Sequence, residues 1–129
     1  MNNDIFLMSC AILSVWSKGG LSKNYGIAIS NKDNELLKLI CLQKSKFQSE
    51  IELLLNVFSN LNNVTDTNFY ITFCPSKLFV DAAKCKKVSK IFYLPIYKTE
   101  IKDSVLESFK YNFGKVVDLF SVYKIPENV

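Results

Sequence analysis

Asn68-Phe-Tyr-Ile-Thr-Phe-Cys-Pro75, Ser76-Lys-Leu-Phe-Val-Asp-Ala-Ala-Lys-Cys85 and Val88-Ser-Lys-Ile-Phe-Tyr93 are three pieces of one stretch, and their reading decides the fold. The first is rich in aromatic and β-branched residues and stops at a proline, the pattern of a buried strand. In the second, Leu78, Phe79, Ala82 and Ala83 share one helical face, while Lys77, Asp81 and Lys84 share the other. The third is again a strand. Strand, short helix and strand in so few residues predict a right-handed βαβ unit with parallel strands.

Upstream of this unit, Asp4 is placed to cap a helix running to Ser17. Ile5, Met8, Ile12, Val15 and Trp16 give it an apolar stripe, and Gly19-Gly20 ends it. Tyr25–Ser30 and Glu35–Leu42 read as strands joined by the turn-rich Asn31-Lys-Asp-Asn34, hence as a hairpin. Gln48–Asn60 carries Ile51, Leu53, Leu54, Leu55, Val57 and Phe58 almost all round, which predicts a helix buried beneath a sheet. Leu61–Thr67 is a polar connection. It contains the glycosylation triplet Asn63-Val64-Thr65, which has no meaning in a reducing interior.

Downstream, Pro95–Ile101 reads as a linker, Asp103–Tyr111 as a helix capped by Asp103, and Lys115–Phe120, entered through Gly114, as a last strand. The tail Lys124–Val129 is expected to be loose. The order α-β-β-α-β-α-β-α-β has no repeat and no internal boundary. It predicts one domain over residues 1–129: a three-layer α/β/α sandwich with a mixed five-stranded sheet.

Composition narrows the chemistry. The chain is 49% apolar over 129 residues, enough to bury a core without staples. All 16 basic residues are lysines; there is no arginine and no histidine. The usual general base and the commonest zinc ligand are thus missing, as are the bidentate forks that grip phosphate or guanine. A net charge of +4 tolerates a polyanion without demanding one. Cys10, Cys41, Cys74 and Cys85 show no CxxC spacing and read as buried free thiols of a reducing compartment. An activated thiol at Cys74 or Cys85 would need a neighbouring lysine in place of histidine. Gly19-Gly20 stands alone and makes no phosphate loop. The apolar run Ile5–Trp16 is too short to span a bilayer, and Asp4 precedes it where a signal peptide needs Lys or Arg. The expectation is an uncleaved cytoplasmic or nuclear protein with no membrane contact.

Asn24-Tyr-Gly-Ile-Ala-Ile-Ser30, Gln48-Ser49-Glu50 and Thr72-Phe-Cys-Pro-Ser-Lys-Leu-Phe79, with the spacing onward to Val88–Tyr93, resemble the cytidine and deoxycytidylate deaminase-like superfamily. The wording is similar to its tRNA-editing branch. The resemblance covers nearly the whole chain in pattern and implies the cytidine deaminase-like sandwich. In that family a His-Ala-Glu at the second helix and a Thr-x-x-Pro-Cys-x-x-Cys run hold zinc and a proton-shuttling glutamate. Carried over, the histidine position is Gln48, the two cysteine positions are Ser76 and Phe79, and Glu50 matches the shuttle. None of the three former metal positions is a good zinc ligand. The loop that carries a substrate-binding asparagine in the family shrinks to Lys44-Ser-Lys46.

The resemblance therefore implies a pseudoenzyme with no zinc and no other cofactor, Glu50 being vestigial. Phe79 is expected to fill the old metal site, with Gln48 and Ser76 hydrogen-bonding across what remains. The function expected is that of a binding or structural subunit of a larger assembly, for example the inactive partner of an active deaminase. Two alternatives stay open: an RNA-associated protein using Lys84, Lys86, Lys87 and Lys90, or a nucleotide-binding sensor without turnover. The lysines lie at the end of the third helix, where cations are favourable in any case.

Overall fold

The structure is a computed structural model, and it describes residues 3–20, 23–44, 50–59, 61, 63–94 and 101–108. Its elements in chain order are α1 (Asn3–Trp16), β1 (Asn24–Ser30), β2 (Leu36–Gln43), α2 (Glu50–Ser59), β3 (Asn68–Ile71), α3 (Lys77–Cys85), β4 (Lys90–Tyr93) and β5 (Leu106–Ser108). The five strands form one mixed sheet in the order β2-β1-β3-β4-β5. β1 runs antiparallel to both β2 and β3, whereas β3, β4 and β5 run parallel.

The hairpin forms where turn chemistry predicts it. Asn31 Oδ1 accepts from the backbone N–H of Asp33 at 3.0 Å and of Glu35 at 2.9 Å, and Asn34 takes the left-handed φ of 63°. The parallel β3-α3-β4 unit also forms as expected, with Phe69 opposite Ile91 and Tyr70 opposite Phe92.

Side-chain alternation along the central strands builds two cores. Ile27 and Ile29 of β1, Phe69 and Ile71 of β3, and Ile91 of β4 join Val57 and Phe58 of α2 and Phe79, Val80 and Ala83 of α3. The alternate residues Ala28 and Tyr70 join Leu7, Met8, Ala11 and Ile12 of α1 on the other face. Tyr70 stacks on Phe92 there, with ring centroids 4.7 Å apart. One sheet thus has α1 on one face and α2 with α3 on the other, because its middle strands are apolar in both phases of the period.

Helix α1 lies close to β1. A Cβ on Gly26 would come within 2.6 Å of Val15 Cγ1, 2.8 Å of the Ala11 carbonyl oxygen and 3.0 Å of Thr72 Oγ1. Gly26 N–H donates to that Thr72 hydroxyl at 2.9 Å, and Thr72 N–H donates to Gly26 O at 3.0 Å, extending the β1–β3 ladder by one pair. After α1 the chain reverses through Gly19 and Gly20, with φ of 128° and 94°.

One element differs from expectation. Residues 106–108, predicted to lie in a helix capped by Asp103, form strand β5, with Leu106 opposite Ile91 and Ser108 opposite Tyr93. Asp103 Oδ1 accepts from Val105 N–H at 3.0 Å, closing a turn, and Ile91 N–H donates to Val105 O at 2.7 Å. Pairing with β4 and burial of Val105 outweigh the local helical pattern, and three residues are too few to show a period of two. The rest of that predicted helix, the strand Lys115–Phe120, the tail Lys124–Val129 and most of the linker Pro95–Ile101 lie outside the described residues.

Candidate functional site

Ser76 and Phe79 fall at the amino end of α3, and the four lysines singled out from the sequence at its carboxyl end and on into β4. At its N-terminus, Ser76 is the capping residue, with φ −102° and ψ 165°. Its Oγ accepts from Phe79 N–H at 3.1 Å, satisfying one of the orphan donors of the first turn. The hydroxyl accepts there, and Gln48, its expected partner across the site, lies outside the described residues. Phe79 is 1% exposed. Its ring sits 5.2 Å from Phe73 at 90°, 5.7 Å from Phe58 of α2 and 6.3 Å from Phe69 of β3, centroid to centroid. Edge-to-face contacts of this kind add to simple burial. Gln48 lies outside the described residues; Glu50 is the first residue of α2.

Beside this cluster, at the carboxyl end of β3, Tyr25 meets Phe73 edge-on at 5.1 Å, and the Lys44 ammonium lies 5.2 Å from the Tyr25 ring centroid. Neither pairing was legible beforehand, since each joins segments far apart in the chain. Among the described residues no group of three or more His, Cys, Asp or Glu is placed to hold a metal ion. None of the four thiols is fully buried, contrary to expectation: Cys10 and Cys41 are half-buried, Cys74 and Cys85 exposed. Cys74 falls in the turn after β3 and Cys85 on the solvent side of the last turn of α3, so apolar neighbours in sequence did not translate into burial. Burial pushes the Cys10 and Cys41 thiols up. At Cys41 the nearby Lys18 charge and a hydrogen bond with Ser14 pull the other way.

At the opposite end of α3 the four lysines separate into two kinds. Lys84 Nζ pairs with Asp103 Oδ2 at 2.8 Å, and Lys90 Nζ donates to Ser104 O at 2.8 Å. The hydrogen bond to Lys84 holds the Asp103 carboxyl below its ordinary range, aided by the Val105 N–H, and the same bond raises Lys84. Both lysines tie the segment before β5 to the α3–β4 joint. They line an open depression of about 360 Å³ together with Val88, Ser89, Asp103, Ser104 and Val105. It lies at the amino ends of β4 and β5, whereas open α/β sheets bind ligands at the carboxyl ends.

Lys86 and Lys87 remain exposed on the turn that ends α3. Val88 N–H donates to Ala83 O at 3.0 Å and Lys87 N–H to Lys84 O at 3.0 Å, which together make a Schellman motif. Lys87 occupies its left-handed position, with φ of 61°, where glycine is the usual residue. Lys87→Gly is accordingly expected to stabilise the protein by up to about 1 kcal/mol in chemical denaturation, because the left-handed penalty on a residue with a Cβ is removed. Of the four lysines expected to act together, Lys84 and Lys90 are thus hydrogen-bonded at the surface, and Lys86 and Lys87 are exposed on the turn.

No protein-family model matches the chain, and no curated protein matches it.

Proposed function

We propose that this protein is a non-catalytic, deaminase-like domain that works as a binding or structural subunit of a larger assembly inside the cell. The observation that carries this reading is the neighbourhood of residues 76 and 79. They occupy the cap and first turn of α3 directly beyond β3, and Phe79 packs against Phe58 of α2, the helix that Glu50 opens. A deaminase-like metal site would draw its ligands from these two helices. Here the cap hydroxyl serves the backbone and the aromatic ring fills the space between the helices and the sheet. The two cores, one on each face of a mixed five-stranded sheet, support the cytidine deaminase-like sandwich as the parent architecture. Among the described residues no helix is long and apolar enough to cross a membrane, consistent with partners met away from the bilayer.

The test is reconstruction. In the triple variant Gln48→His, Ser76→Cys, Phe79→Cys, three ligands should converge with an open fourth position, and elemental analysis should find one zinc per chain, with none in the wild type. A triple variant that folds, judged by circular dichroism, and binds no zinc would overturn the deaminase-like reading.

A further inference from the structure

Among the described residues strand β2 is an edge of the sheet, and it is not blunted as thoroughly as edges usually are. It is eight residues long, contains no proline, and exposes Leu36 at 39%, Leu37 at 55% and Leu39 at 44%. Among the described residues its protections are Lys38 and an irregularity of register opposite Ile29 and Ser30. The ladder says which backbone groups are unused. Lys44 N–H donates to Lys23 O at 2.9 Å, while Gly26 exchanges with Thr72 on the β3 side. By alternation Leu42, Ile40 and Lys38 bond to β1, and the N–H and C=O groups of Leu39, Cys41 and Gln43 point to the free edge.

We propose that this edge pairs with the β2 edge of a second copy, antiparallel about a two-fold axis at Ile40, joining two sheets into one. Charge selects the partner and the direction. The hairpin end of β2 carries Asp33 and Glu35 against Lys32, and the other end carries Lys44 beside Lys23. A two-fold axis sets the acidic end of each strand against the basic end of the other, whereas parallel pairing would set like against like. With the axis at Ile40, Leu39 faces Cys41 of the second copy and Lys38 faces the uncharged Leu42. Moving the axis to Cys41 would set Lys38 opposite Lys44. The exposed leucines then lie beside the new strand pair, where pairing covers them.

This inference rests on the ladder and not on the deaminase-like reading, so the zinc experiment and the following one fail separately. Light scattering on a sizing column at high micromolar concentration should give twice the 14.7 kDa mass of the chain. Leu39→Pro removes an N–H that points away from β1, leaving the β1–β2 ladder whole, and should yield a monomer with an unchanged circular dichroism spectrum. At the axis the two Ile40 residues form a non-hydrogen-bonded pair with Cα atoms about 4.5 Å apart, within disulfide reach. Ile40→Cys, in a chain also carrying Cys74→Ser and Cys85→Ser, should therefore form a disulfide-linked dimer under mild oxidation that the same chain with Ile40 does not form. If Leu39→Pro does not fold, this cross-link decides. A monomeric wild type, a Leu39→Pro variant that still dimerises, or no Ile40→Cys cross-link would each overturn the proposal.

Discussion

Phe79→Ala is expected to lower folding stability by about 3–5 kcal/mol, the range for truncating a fully buried aromatic residue. The ring is 1% exposed and in contact with three other phenylalanines, drawn from α2, from β3 and from the turn between β3 and α3. Its removal leaves a void walled by rigid rings, which cannot collapse as aliphatic chains can. Against a typical total of about 5–15 kcal/mol, such a loss is a large fraction of the stability. The measurement is urea denaturation followed by fluorescence or circular dichroism. A lower midpoint with an unchanged slope reports lost stability rather than a changed denatured state. Phe79→Leu keeps an apolar side chain in the same space and should cost clearly less. A loss below about 1 kcal/mol for Phe79→Ala would mean that the ring does not hold α2 and α3 on the sheet.

Gly26→Ala should be the next most damaging change, at about 1–3 kcal/mol, the usual cost of overpacking. The new methyl group would meet Val15 Cγ1 at 2.6 Å, which a side chain can relieve by moving, but also the Ala11 carbonyl oxygen at 2.8 Å. That second contact is backbone, so α1 itself must shift away from β1. Combining Gly26→Ala with Val15→Ala tests this directly. The two losses should be less than additive, since Val15→Ala removes one of the clashes, yet the double variant should stay below Val15→Ala alone because the carbonyl remains. Strict additivity in a double-mutant cycle would show that α1 does not press on β1 at this point.

Several features were legible in the residues alone because their causes are local. Asn31 and Asn34 make a hairpin turn wherever two strands flank them, and Gly19-Gly20 ends a helix whatever lies beyond. The βαβ stretch was readable because apolar residues change period from two to 3.6 and back within Asn68–Tyr93. Phe79 could be placed inside for the same reason. Asp103 was misread for an equally local reason: its side chain closes a turn as readily as it caps a helix, and nothing nearby distinguishes the two. What decided between them was β4, whose Ile91 N–H awaited a carbonyl partner that Val105 supplies.

Composition and local pattern were enough for the types and order of most elements, the absence of histidine and arginine, and the unsuitability of Ser76 and Phe79 as zinc ligands. These depend on composition and on neighbours within one or two turns. Long-range pairing set the order β2-β1-β3-β4-β5, the strand at Leu106–Ser108, and the surface hydrogen bonds of Lys84 and Lys90. It also decided that β2 is an edge with leucines in the open. Each of these is a pairing between residues far apart in the chain, Lys84 with Asp103 or Ile91 with Val105. No local period encodes which distant segment will complete a strand's hydrogen bonds or a side chain's charge.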